Sequence, residues 1–147
     1  MKKLFVFIVL ILMPIMLGMG SLSESDSPEK IPVTKEKFGA TFIDQMDVIT
    51  ECTGVSINGK TFIEGTKGNG LYTIAFKEIS DIIFVQKAEK LSGMVRLIND
   101  ERVEMVLKKD HKAYGKTKYG TFQIMLTKLS RMRVNAQPEM DSSKKGQ

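Results

Sequence analysis

Between residues 38 and 134 apolar and polar positions trade places at period two over short runs, each closed by a turn signal. Residues 40–44 (ATFID) are the first predicted strand and 45–47 a turn. Residues 48–57 follow as a longer strand, with Gly54 a candidate bulge. Asn58-Gly59 is a strong hairpin signal, because both residues accept the positive φ of a type I′ turn. Residues 60–64 return with apolar side chains on both faces, and 65–70 are a glycine-punctuated connection. Over 71–76, Tyr72, Ile74 and Phe76 share one face. Lys77-Glu78-Ile79 breaks the alternation, which predicts one turn of tight helix before a last strand over 80–85 that turns Ile82 and Phe84 to one side. A second series runs through 94–98, a turn at 99–101, and 102–108 with Val103, Met105 and Leu107 on one face. A turn at Lys109-Asp110 leads to 112–119, then 121–126 with Phe122, Ile124 and Leu126, then 131–134. Residues 88–92 (AEKLS) between the two series are predicted as a brief helix.

The second series rewrites the first. Residues 65–84 (GTKGNGLYTIAFKEISDIIF) align without a gap with 115–134 (GKTKYGTFQIMLTKLSRMRV). Gly65 falls on Gly115, Gly70 on Gly120, Ile74 on Ile124 and Ser80 on Ser130, and apolar character is kept at Tyr72/Phe122, Phe76/Leu126 and Ile82/Met132. Such a repeat predicts an all-β chain of two tandem five-stranded units, 38–87 and 88–134. A unit of about 45 residues is marginal on its own. The two are therefore expected to bury apolar faces against each other, as small barrels or as one fused β-sandwich or barrel.

Residues 55–65 (VSINGKTFIEG) and 95–105 (VRLINDERVEM), each followed by a strand, a turn and a last strand, resemble the plan of small five-stranded barrels, SH3-like or Sm-like. They are similar to exported bacterial β-repeat proteins in which a Gly-x-x-x-x-Gly connection precedes an Ile-rich strand pair. The resemblance implies a fold and leaves function open.

The N-terminus bears on compartment. Met1-Lys2-Lys3 precedes an apolar run over 4–19, which is shorter than the roughly 20 residues of a spanning helix. Gly18 and Gly20 sit at −3 and −1 before Ser21, so residues 1–20 read as a cleavable signal peptide; an uncleaved anchor is the alternative. The chain is expected to be exported, periplasmic or secreted. Residues 21–37 read as a flexible linker and 135–147 as a disordered tail.

Composition adds few candidates for chemistry. Gly65-x-x-Gly68-x-Gly70 opens onto a strand rather than a helix, so it reads as a turn that needs positive φ, not as a phosphate loop. His111 is the single histidine, and with no second ligand or nucleophile motif around it a solvated position is preferred. Asp44, Asp47 and Glu51 span a turn and match no calcium loop. Cys52 is the single cysteine: a small buried apolar side chain is preferred, an intermolecular disulfide the alternative. No cofactor or metal is expected, and no catalytic activity.

Charge is distributed unevenly. Residues 38–87 hold four basic and six acidic residues, whereas 88–137 hold eleven and five. Lys112, Tyr114, Lys116, Lys118 and Tyr119 interleave cations with aromatics, which suits an anionic partner. Lysines on the solvent face of edge strands, where they discourage aggregation, are the innocent explanation. The sequence thus predicts a non-enzymatic binding module for an envelope protein or anionic surface, nucleic acid being the least expected anion after export. A self-assembling structural subunit of the envelope, a homo-oligomer joined through β edges or Cys52, is the alternative.

Overall fold

The computed structural model describes residues 31–135, so the expected signal peptide, residues 21–30 of the linker and residues 136–147 of the tail lie outside the described residues. The described chain is all-β. Its strands are β1 (Ala40–Asp44), β2 (Ile49–Ile57), β3 (Phe62–Lys67), β4 (Gly70–Ala75), β5 (Ile79–Lys87), β6 (Lys90–Leu97), β7 (Arg102–Leu107), β8 (Lys112–Thr117), β9 (Gly120–Met125) and β10 (Leu129–Val134). Single 3₁₀ turns at Phe76–Glu78 and Leu126–Lys128 precede β5 and β10.

All ten strands belong to one antiparallel sheet in the order β4-β3-β7-β6-β5-β10-β1-β2-β8-β9. Strands that lie fifty residues apart in sequence stand at matching distances from the two ends of that order. β3 and β8 are each second from an edge, and β5 and β10 meet at the centre. The sheet curls into a half-barrel. Phe42 of β1 stacks on Phe122 of β9, centroids 5.6 Å apart, although β2 and β8 separate these strands in the ladder.

Spatial neighbours cut across the boundary between residues 87 and 88. One half of the strand order, β3 to β7, is contiguous in sequence; the other joins β1 and β2 to β8, β9 and β10. Asn58 and Gly59 do take positive φ, 49° and 79°, as the turn signal predicts. The strands on either side nevertheless pair only through the single bridge Ile57–Lys60. β3 then leaves β2 and pairs with β4 and, at Thr66, with Val106 of β7. β2 is covered instead by β8. Asn58 ties this exchange: its N–H donates to the Lys112 carbonyl and its Oδ1 accepts from the Lys112 N–H, both at 2.9 Å.

Two irregularities set which side chains face inward. The β2–β8 register shifts between Thr53 and Ser56, with Gly54 at φ 57°. A bulge inserts one residue and changes parity. Cys52 therefore points inward on even numbering, and Val55 and Ile57 on odd. A shift between Ile79 and Asp81 does the same on β5, bringing Ile82 and Phe84 inward after Ile79. The core runs through both halves as one cluster, including Phe42, Ile63, Phe76, Ile82, Met105, Leu126 and Met132.

Residues 88–92 are not helical. Ala88, at φ 53°, and Glu89 form a two-residue turn, and β6 begins at Lys90, because pairing with β5 continues to Lys87–Lys90. Gly65 and Gly115 are not turn residues either. Both lie inside strands, and the positive φ falls on Gly68 at 60° and Gly120 at 136°. A Cβ on Gly65 would overlap the Met105 side chain, with Cγ at 2.6 Å. One on Gly115 would come within 2.6 Å of the Cys52 Cβ and 3.2 Å of Val55 Cγ1. Met105 lies fifty residues beyond Val55, so each glycine makes room for a side chain from the other repeat.

A buried carboxylate flanked by two part-exposed arginines lies beside the central seam. Asp81 on β5 is 2% exposed and accepts from Arg96 on β6, Nε to Oδ2 at 2.8 Å, with a second contact from Arg96 Nη2. Arg131 on β10 approaches the other carboxylate oxygen at 3.7 Å. Asp81 and Arg131 are fifty residues apart, so the equivalent strands that meet at the seam carry opposite charges where two identical copies would carry the same one.

Candidate functional site

A groove of about 1280 Å³ lies beside the tip of the β8–β9 hairpin. Its walls come from the segment leading into β1, from the first half of β2 and from the hairpin tip. The tip is built locally. Thr117 Oγ1 accepts from the Tyr119 N–H and donates to the Gly120 carbonyl, both at 3.0 Å, which holds Lys118 and Tyr119 in the turn. Close packing of Gly115 on Cys52 and Val55 fixes β8 against β2, and Lys116 pairs in the ladder with Thr53.

Three lysines line the groove, Lys37, Lys116 and Lys118, against one carboxylate, Glu51. Lys118 Nζ lies 4.9 Å from the Tyr119 ring centre, and that ring is 87% exposed. Val33, Val48 and Ile49 add exposed apolar surface to the same walls. Exposed apolar groups set among cations suit an anionic partner that also offers apolar contact. Residues 112–135 as a whole contain six basic residues and no acidic one.

Of the five residues singled out from sequence, Lys116, Lys118 and Tyr119 line this groove. Lys112 and Tyr114 stand further along β8, half-buried, opposite Met125 and Ser56 respectively. Lys37 and Val33 escaped the sequence reading because residues 21–37 read as linker. In the structure Pro32 lies against Gly59, Thr34 is nearly buried, and Phe38 meets Phe76 edge-on at 5.8 Å. Val48 and Ile49 were legible as two adjacent apolar residues at the start of a strand, where alternation allows one of them inside.

The corner related to this one by the repeat is different. There the β3–β4 tip carries Thr66, Lys67, Gly68 and Asn69 where the β8–β9 tip carries Lys116, Thr117, Lys118 and Tyr119. The Ala88-Glu89 turn stands in place of the incoming N-terminal segment.

The remaining candidates take structural places. Asp44 Oδ1 accepts from the N–H groups of Met46 and Val48, at 2.8 and 3.0 Å, and so shapes the β1–β2 turn in which Asp47 holds φ 62°. Among the described residues no three His, Cys, Asp or Glu side chains gather as a metal site. His111 is half-buried, and its carbonyl accepts from the Leu126 N–H at 3.0 Å. Cys52 is buried, and burial pushes its thiol pKa up to about 11. A thiol held protonated under Gly115 is a poor nucleophile for disulfide formation.

Among the described residues no helix is long and apolar enough to cross a membrane. No curated protein and no solved structure matches the chain. A family model described as "Uncharacterised protein" matches residues 34–137, a span that takes in both repeats, and the chain belongs to that family.

Proposed function

We propose that this protein is an exported, non-enzymatic binding module that engages an anionic partner at the cell envelope through the groove beside the β8–β9 tip. The observation that carries this reading is the convergence of Lys37, Lys116 and Lys118 with exposed Tyr119, Val33, Val48 and Ile49 on one concavity. The absence of any acidic residue over 112–135 extends the positive field beyond the groove. The apolar run over 4–19, read as an export signal, supports an envelope location. Within this reading the sheet is two five-stranded units built on one plan. Only one of them has diverged into a cationic binding corner.

The test is binding of the full chain, in non-ionic detergent, to mixed micelles containing phosphatidylglycerol or phosphatidylcholine, beside capture of proteins from an envelope extract. Binding to the anionic micelles or to an acidic envelope protein should weaken about thirtyfold in a Lys116→Glu, Lys118→Glu variant, at about 1 kcal/mol for each lysine. It should also weaken with salt. Equal retention by both chains on every anionic surface would refute the assignment of the groove.

A further inference from the structure

The two ends of the sheet are unlike everything between them. Each of the eight interior strands carries at least one charged residue, from Asp44 on β1 to Arg131 and Arg133 on β10. The edge strands β4 (GLYTIA) and β9 (GTFQIM) carry none, and neither contains proline. Sheet proteins usually distribute charge the other way, with lysine, proline or a bulge on the edge to block strand addition. Nor are these edges bulged: β3–β4 and β8–β9 each pair over six consecutive residues without a register shift. A regular antiparallel edge leaves alternate N–H and C=O groups pointing outward and available for pairing.

The molecule already contains an example of such pairing. β5 and β10 are equivalent strands of the repeat, and they join antiparallel at Arg131–Ile83, Met132–Ile82 and Arg133–Asp81 to extend five strands to ten. Strand addition between two copies of this fold is thus part of its own architecture.

We infer that β4 is a strand-addition site for a second copy of this chain, pairing antiparallel with its own counterpart across a two-fold axis. β4 is the more open edge, with Leu71 66% and Tyr72 46% exposed. β9 is drawn inward by the stacking of Phe122 on Phe42. Charge separates the edges further. Residues 60–111, which carry β4, hold nine basic and eight acidic residues, whereas 112–135, which carry β9, hold six basic and no acidic ones. Two β9 edges therefore repel, and two β4 edges meet near neutrality. The resulting pair is isologous and closed, a twenty-stranded continuous sheet with the groove corners at its far ends.

The test is density-matched sedimentation equilibrium of the full chain in non-ionic detergent across a dilution series. The unaltered chain should be a dimer. A Leu71→Lys, Thr73→Lys variant should halve that mass while keeping the circular dichroism of the parent. Thr121→Lys with Gln123→Lys on β9 should leave the dimer intact. Backbone amides of β4 in the unaltered chain should exchange faster on dilution, a readout that needs no variant. A monomer at every concentration, assembly beyond a dimer, or a dimer that survives the β4 lysines in a folded chain overturns the inference.

Discussion

The hairpins β3–β4 and β8–β9 hold the same register, occupy second and first place from opposite ends of the sheet, and make the same close approach to the other repeat through Gly65 and Gly115. Their tips differ completely. One ends in Lys67-Gly68-Asn69 and the other in Thr117-Lys118-Tyr119 beside a groove. What stays alike is set by backbone contact, where a single added carbon collides with a neighbour. What has changed faces solvent, where substitutions cost little and charge is free to accumulate. The contrast separates positions that hold the fold from positions open to a partner.

The strongest way to break this equivalence is at the seam, where position 81 is acidic and position 131 basic. Asp81→Ala removes a buried carboxylate that faces Arg96 and Arg131, and should cost about 3 kcal/mol in urea unfolding, because the charge-assisted hydrogen bonds from Arg96 are lost together with the attraction of Arg131. Arg131→Ala removes the more distant of the two partners, and should cost about 1 kcal/mol by the same measurement. A larger loss from Arg131→Ala than from Asp81→Ala would reverse the ranking.

Two substitutions with effects between those of Asp81→Ala and Arg131→Ala sharpen the comparison between the hairpins. Gly115→Ala forces a carbon against the short, stiff Cys52 and Val55 side chains and should cost about 2–3 kcal/mol. Gly65→Ala overlaps both the Cγ and the Cβ of the buried Met105, at 2.6 and 2.9 Å, and should cost a comparable amount, about 2–3 kcal/mol. A thermal shift confined to one of the two variants would show that the two close approaches are not equivalent.

The smallest effect at neutral pH concerns Cys52, whose repeat counterpart is the exposed Arg102. Burial raises its thiol pKa from 9.0 to about 11, so the unfolded chain ionises first. Its contribution to stability is fully present below pH 9 and is lost as pH rises from about 9 toward 11. Unfolding curves of the parent and Cys52→Ala should run parallel below pH 9 and converge above it. Iodoacetamide at pH 8 should label the native thiol roughly a hundredfold more slowly than the urea-unfolded one, as expected for two pKa units.

Much of the strand pattern was legible because it is local. Period-two alternation marked β1, β7 and β9, Asn58-Gly59 marked its turn by positive φ, and Lys77-Glu78 marked the 3₁₀ break. Partner choice was not legible. Nothing within residues 55–65 says that β3 will leave β2 after one bridge and pair with β7, since that outcome depends on Val106 and on β8 taking the vacant side of β2. Ala88-Glu89 had helical composition, and the long β5–β6 ladder overrode it. Gly65 and Gly115 stood out as glycines, but the reason lay in Met105, Cys52 and Val55, forty, sixty-three and sixty residues away. The basic tip was visible in the sequence, whereas the groove needed Lys37 and Val33, which only folding brings beside it.

One detail of the sheet bears on the chain's history. Ala40 and Val134, near the two ends of the described fold, are ladder partners, and the Asn135 N–H donates to the Gly39 carbonyl at 3.0 Å. At the corresponding place in the other half, the neighbouring strands are joined by Ala88-Glu89. The backbone thus comes within one short turn of forming a closed ring, and the positions of its termini are a choice of where that ring is cut. Cut where it is, the protein releases both ends at one corner.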